Sequence, residues 1–167
     1  MRSKRSVTAA ALVLVITAAP LAAQQPAKGT YAKHACALLG PEEIKKVTGR
    51  SDVARTTEKP EESQFSSNCQ YWGAFDITLH VGAQTKVMFG RERDTYAKAP
   101  AKLGYKIEPL KGLGDDAYYM THNGRVEARA MLGETELAVS LSGSIPPEPD
   151  AKTMAVNLAK TVLAKLK

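Results

Sequence analysis

The sequence has 167 residues and a formal net charge of +6, with 23 lysines and arginines against 17 acidic residues. Three of the basic residues lie within the first 23 positions, so the remaining 20 basic and 17 acidic residues leave a surplus of only +3. That surplus, without an arginine stripe or interleaved aromatic residues, argues against nucleic-acid binding.

The first 23 residues have the pattern of a secretory signal peptide. Arg2, Lys4 and Arg5 precede the apolar segment Val7–Ala19, and small residues lead up to Ala23. Because a bilayer span needs about 20 apolar residues, we predict cleavage after Ala23, with an uncleaved membrane anchor as the alternative. The predicted product is secreted or periplasmic and has no stable membrane anchor after cleavage.

The rest of the chain is long enough for one domain. Residues 24–35 are polar and are predicted to be a flexible lead-in, followed by a single domain over residues 36–167. An even number of cysteines in an exported chain favours a disulfide between Cys36 and Cys69. A redox or metal-binding pair is the alternative, and it lacks the usual Cys-x-x-Cys spacing.

Helix and strand signals alternate along the first half of the domain. Proline at the first helical position, two acids after it and Gly49 at the end predict a helix over Pro41–Thr48. The further predicted elements are an edge strand at Ser51–Thr57, strands at Asn68–Trp72 and Ile77–Val81, a helix at Lys86–Ala99 and a strand at Tyr105–Leu110.

Three strands joined by two tight turns are predicted over residues 112–141. The first is Ala117–Met120, and Asn123-Gly124 then forms a hairpin turn because both residues tolerate positive φ. In Arg125–Leu132 the even positions are apolar and Glu127 and Arg129 are charged, so one face is expected in a core and the other in water. Gly133-Glu134 leads into the third strand.

The last predicted element is an amphipathic helix that begins after the N-cap Asp150. Its apolar residues recur at helical spacing and should cover the apolar face of the sheet. The expected fold class is α+β: an antiparallel sheet of about five strands with two or three helices packed on one face.

These motifs resemble those of small exported bacterial domains of unknown function. The shared features are Cys36 before two leucines and a Pro-Glu-Glu helix, Cys69 two residues before Tyr71, and Gly112-Leu113-Gly114-Asp115 before the three strands. Such domains occur in actinobacterial surface lipoproteins. The chain also resembles the extracellular sensor-like domains of some mycobacterial receptor kinases. The resemblance implies an α+β fold, bridged cysteines and no enzyme activity. This sequence differs from the lipoprotein members because it lacks a lipobox.

Ionisable residues give no metal-binding motif. The three histidines lack His-x-His or His-Glu-x-x-His spacing, so neither a metal nor a cofactor is predicted. The acidic pair Asp115-Asp116 could bind calcium or serve with His80 in a hydrolase. The preferred interpretation is a turn in which aspartate side chains accept backbone N–H groups.

Aromatic residues suggest a ligand surface, because they cluster in two places. Tyr71, Trp72 and Phe75 flank one turn, and Tyr119 lies in the first strand of the 112–141 segment. If exposed together they would bind a ligand or partner; alternatively, they fill the core beside the disulfide.

The sequence contains no recognisable catalytic set, and no catalytic residue is predicted. We expect a secreted, monomeric, non-catalytic envelope domain that binds a small ligand, lipid or protein. The alternatives are an envelope hydrolase or calcium-dependent enzyme around Asp115 and Asp116, and a structural interaction module.

Overall fold

The computed structural model describes residues 35–55, 61–63 and 65–166, and the predicted signal peptide and most of the predicted lead-in lie outside these ranges. The helices are α1 (Ala35–Leu38), α2 (Pro41–Thr48), α3 (Lys86–Ala97) and α4 (Asp150–Leu166), with a 3-10 turn at Ala101–Leu103. None of these helices is long and apolar enough to cross a membrane.

The eight described strands form one antiparallel sheet, and they differ in length from two to nine residues. They are β1 (Ala54–Arg55), β2 (Glu61–Glu62), β3 (Ser66–Trp72), β4 (Phe75–Ala83), β5 (Lys106–Pro109), β6 (Asp116–His122), β7 (Arg125–Leu132) and β8 (Thr135–Gly143). The strand order is β1-β3-β4-β8-β7-β6-β5, and β2 also pairs with β3. The α+β class is confirmed. Six of the described strands have four or more residues, against the predicted number of about five, and the four described helices exceed the predicted two or three.

The central three strands form as their sequence predicts. Asn123 and Gly124 have φ angles of 49° and 71°, so they provide the left-handed pair that a two-residue hairpin requires. The register pairs His122 with Arg125, the two residues that flank this turn. The β7 bounds match the prediction, whereas β6 begins one residue earlier and ends two residues later than predicted.

The apolar face of the sheet is covered by α4, with α1 and α2 beside it. From β7 and β8, alternate residues such as Ala128 and Val139 are completely buried, and they face Leu158 and Val162 of α4. The apolar stripe of the last helix therefore packs where its spacing predicts. Lys165 near the end of α4 also forms an ion pair with Glu43 of α2 at 2.6 Å.

The opposite face of the sheet is also covered, which corrects the prediction that all helices share one face. Helix α3 packs there: Phe89 is fully buried, and its ring centroid lies 5.2 Å from that of Tyr118. Glu127 and Arg129, which were expected in water, are only 8% and 9% exposed. The domain therefore has three layers, and the middle layer is the sheet.

The two cysteines form the predicted disulfide. Cys36 in α1 is bonded to Cys69 in β3, with a Cα–Cα distance of 5.0 Å. The bridge is reinforced by two contacts between the same elements: Ala35 N donates to Ser67 Oγ at 3.1 Å, and the Tyr71 hydroxyl donates to the Leu39 carbonyl. The N-terminal end of the described domain is thereby attached to the sheet.

Candidate functional site

The four aromatic residues that the sequence suggested as a ligand surface do not lie together. Tyr71, Phe75 and Tyr119 are at most 3% exposed, whereas Trp72 is 59% exposed. Tyr71 lies in β3 and Tyr119 in β6, and these strands are four positions apart in the sheet, or about 19 Å at the usual strand spacing. Only Trp72 is accessible to a ligand.

Asp115, Asp116 and His80 do not converge either. The Asp115 carboxylate accepts the Gly133 N–H at 2.8 Å, as expected for a turn aspartate, and Asp116 accepts two hydrogen bonds from Arg93 at 2.8 and 2.9 Å. His80 lies on β4, three positions from β6, about 14 Å away. Within the described ranges no group of three potential metal ligands is found.

A charged network occupies the face of the sheet under α3. Its centre is Arg129 on β7, whose Nη1 donates to Glu92 Oε1 of α3 at 2.6 Å and to the Tyr118 hydroxyl at 2.9 Å. Its Nη2 donates to Glu136 on β8, and its Nε lies 3.3 Å from Glu127 Oε1. One guanidinium thus contacts three carboxylates from three different elements.

A second arginine extends this network toward solvent. Arg125 Nη2 donates to Ser140 Oγ at 2.7 Å, and Ser140 Oγ donates to Glu127 Oε2 at 2.6 Å. The Arg125 side chain is 52% exposed, whereas that of Glu127 is 10% exposed. The charged groups therefore form a chain from the buried centre to the surface.

The alternation of β7 explains how these groups reach one face. Arg125, Glu127 and Arg129 are spaced by two, so their side chains all leave the strand on the side opposite the apolar core. The neighbouring strand contributes Glu136 and Ser140 by the same alternation, since Ser140 pairs directly with Glu127 in the register.

Burial changes the acid–base properties of this face. Burial alone would lower the pKa of Arg129, but the Glu136, Glu92 and Glu127 carboxylates together raise this pKa above its usual value. Burial also raises the pKa of Tyr118 and lowers that of His80. At neutral pH, Arg129 is therefore charged, whereas Tyr118 and His80 are uncharged.

An open cleft of about 290 Å³ adjoins the charged network. Its charged walls are Glu92, Arg125, Glu127 and Arg129, and its other walls are Tyr96, Tyr105, Met120 and His122. We call this space the α3 cleft, since α3 forms one side of it and β6 and β7 form its floor.

Three rings form the aromatic wall of the α3 cleft. The Tyr105 ring stacks on His122 with a centroid separation of 3.9 Å and lies 5.0 Å from the Tyr96 ring. The Tyr96 hydroxyl donates to Glu92 Oε1 at 3.2 Å. The three rings thus pack on one another, and Tyr96 connects them to the charged network.

One feature of the sequence could have indicated this cleft, namely the charged residues within the central strands. Charged residues in the middle of a central strand, such as Glu127 and Arg129, are uncommon unless the strand face is open to water or the charges are paired. A second carboxylate, Glu136, lies on the next strand, opposite Met131. Together they indicate a paired network rather than a solvated face.

No family model matches the sequence, and no curated protein is significantly similar to it. Among solved structures, a GTP binding regulator from Thermotoga maritima matches with a TM-score of 0.40 and 11% sequence identity, over 77% of this chain and 93% of that chain. A similarity of this size carries no information about function. The resemblance to exported bacterial domains stays a prediction.

Proposed function

We propose that the protein is an exported, non-catalytic domain that binds a small molecule in the α3 cleft. The observation that carries this proposal is a charged network beside an open cavity: Arg129 and Glu127 are at most 9% exposed, yet both line the cleft. Small-molecule sites are typically concave, with a few fixed polar groups.

The energetics of the network support a binding role. Desolvating an arginine and three carboxylates is costly, and well-packed apolar residues in such positions are often equally or more stable. A network kept at this cost beside a cavity is therefore better explained by ligand recognition than by stability, because perturbed ionisable groups concentrate at functional sites. The disulfide in α1 and β3 is consistent with an oxidising compartment.

The chemistry of the cleft supports binding rather than catalysis. Among the described residues, two hydroxyls donate to carboxylates around the cleft, Tyr96 to Glu92 at 3.2 Å and Ser140 to Glu127 at 2.6 Å. Ser140, which makes the shorter contact, is only 4% exposed. A substrate in the cleft would not reach that hydroxyl. The separation of His80 from Asp115 and Asp116 likewise provides no reaction set for the hydrolase alternative.

A thermal-shift screen of envelope lipids, peptidoglycan fragments, sugars and amino compounds tests this function. Three proteins are compared: the wild type, Tyr105→Ala in the cleft wall, and Trp72→Ala as a matched exposed aromatic outside it. We expect at least one compound to raise the melting temperature of the wild type and Trp72→Ala, but not that of Tyr105→Ala. Shifts that depend on Trp72 instead, or no shift with any compound, would contradict the proposal.

A further inference from the structure

We infer that the ligand of the α3 cleft is a small zwitterion of the amino-acid class, with an ammonium group, a carboxylate and an apolar side chain. This inference rests on the proposed function and specifies the ligand of the same site. It follows from three properties of the cleft: unused carboxylate oxygens, an accessible guanidinium and an apolar wall.

The acidic part of the cleft has oxygens available for an ammonium group. Both hydrogen bonds that Glu92 accepts, from Arg129 and Tyr96, go to Oε1. Glu127 accepts the Ser140 hydroxyl at Oε2, and its Oε1 faces Arg129 Nε, a buried atom that makes no hydrogen bond within the described part of the chain. Glu92 Oε2 therefore remains for a donor from a ligand, and Glu127 Oε1 has one contact, the 3.3 Å ion pair with Arg129 Nε, so it can accept a further donor.

The charge balance favours a positive group in the same place. Three carboxylates, Glu92, Glu127 and Glu136, surround two guanidinium groups, Arg125 and Arg129. Burial lowers the pKa of His80, so this neighbour adds no positive charge at neutral pH. The surplus of one negative charge would be neutralised by an ammonium group, and charge-assisted hydrogen bonds are stronger than neutral ones.

The mouth of the cleft is positively charged, in contrast to its acidic part. Arg125 is half exposed, and within the described ranges only its Nη2 has a hydrogen-bond partner, Ser140. Its Nε and Nη1 are thus free to bind a carboxylate. The Cα atoms of Arg125 and Glu127 are two residues apart on one strand face, about 6.6 Å, so a molecule with both charges close together can contact both side chains.

The third wall accepts an apolar group. Met120 lies on the cleft floor beside the packed rings of Tyr96, Tyr105 and His122. A volume of about 290 Å³ is near the lower end of the range for small-molecule sites, roughly 300 to 1,000 Å³. A single amino acid with an aliphatic or aromatic side chain suits this space, whereas a lipid chain or a long peptide does not.

Ligands with one charge fit less well. A simple amine would leave the Arg125 donors without a partner, and a simple carboxylate would face the surplus negative charge of Glu92 and Glu127. Since a site built to pair with a group discriminates against analogues that lack it, the zwitterion should bind more tightly than either fragment.

Isothermal titration calorimetry with matched probes tests this inference. The probes are L-phenylalanine, 2-phenylethylamine, which lacks the carboxylate, and 3-phenylpropanoate, which lacks the ammonium, together with the equivalent series based on L-leucine. We expect at least one amino acid to bind about tenfold or more tightly than its amine and its carboxylate analogue.

Two variants locate the carboxylate contact. Arg125→Gln should weaken amino-acid binding, while the amine should bind at least as tightly as to the wild type because a positive charge near the ammonium group is lost; retained amine binding also shows that the variant is folded. Lys106→Gln, a neighbouring basic residue on β5 outside the cleft, should leave both affinities unchanged.

Several results would overturn the inference. These are an amine or carboxylate that binds as tightly as its amino acid, a wild-type protein that binds neither amino acid, or amino-acid binding that survives Arg125→Gln. If another compound still gives a Tyr105-dependent thermal shift, the proposed function stands and only the ligand class is wrong. If no compound does, both fail.

Discussion

Arg129 on β7 donates a hydrogen bond of 2.6 Å to Glu92 on α3, and this contact attaches the helix to the polar face of the sheet. Arg93, one residue further along α3, forms a second ion pair with Asp116 at 2.8 Å. The helix is thus held partly by charge pairs rather than by an apolar stripe, and the space left beside it is the α3 cleft.

Truncating the centre of the network should be costly. Arg129→Ala leaves Glu92, Glu127 and Glu136 close together without their shared cation, and breaking a buried ion pair in this way costs about 3–5 kcal/mol. Arg125→Ala, half exposed on the same strand, should cost at most about 1 kcal/mol. Urea unfolding of both variants measures the difference, and equal losses would show that the network is not coupled as described.

Stability should depend on pH through His80. Because burial lowers the pKa of His80 below its usual 6.5, the unfolded chain takes up the proton first as the pH falls. The contribution of neutral His80 to the free energy of unfolding should therefore have its full value above about pH 6.5. It should decrease as the pH falls below that value, by at most about 1.4 kcal/mol per pH unit.

The variant His80→Gln isolates this effect. It should remove the slope just below pH 6.5 and keep the loss at lower pH. That loss comes from carboxyls with lowered pKa values: Glu43 beside Lys165, Asp52 beside Arg50, and Asp115, which accepts the Gly133 N–H. Urea titrations between about pH 2 and 8 measure both regions. An unchanged slope in His80→Gln would refute the assignment.

Two glycines with similar backbones should differ in their tolerance of alanine. Gly112 and Gly114 have φ angles of 71° and 67°, so alanine costs about 1–2 kcal/mol at either position through backbone strain. A Cβ atom at Gly114 would also clash with the Met131 carbonyl oxygen, whereas at Gly112 nothing lies within 4 Å. Gly114→Ala should therefore be clearly the less stable in thermal unfolding, and similar melting temperatures would contradict this packing.

Removing the disulfide should loosen the N-terminal elements. The double variant Cys36→Ser and Cys69→Ser should lose about 2–5 kcal/mol of stability, mainly through the larger freedom of the unfolded chain. Chemical denaturation of oxidised and reduced wild type provides the matched comparison, since reduction should give the same loss. If reduction has no effect, the bridge does not constrain the domain.

Much of the fold could be predicted because its signals are local. The Asn123-Gly124 turn, the alternation in β7 and the proline before Glu42 each depend on neighbouring residues. The apolar stripe of α4 could be matched to the apolar face that alternation predicts for β7 and β8. Helix α1 was missed because it has only four residues, too few for a periodic pattern.

The position of α3 could not be predicted, and the cleft was missed with it. Of its twelve residues only Phe89 is buried, and Val87 and Met88 at its start are more than half exposed. Its contacts with the sheet include ion pairs from Glu92 and Arg93, which leave no hydrophobic periodicity. Alternation in β7 showed that one face is polar, and with Glu136 in β8 it indicates paired charges, but neither strand shows which element covers that face.

The central claim, that ligands bind between α3 and the polar face of the sheet, is tested most directly by NMR of methionine methyl groups. Met120 lies in the α3 cleft, Met88 is exposed on α3, and Met154 lies on α4 across the sheet. Titration with L-phenylalanine or L-leucine should shift the Met120 signal and leave those of Met88 and Met154 in place. A shift of Met154 or Met88 with Met120 unchanged would contradict the account.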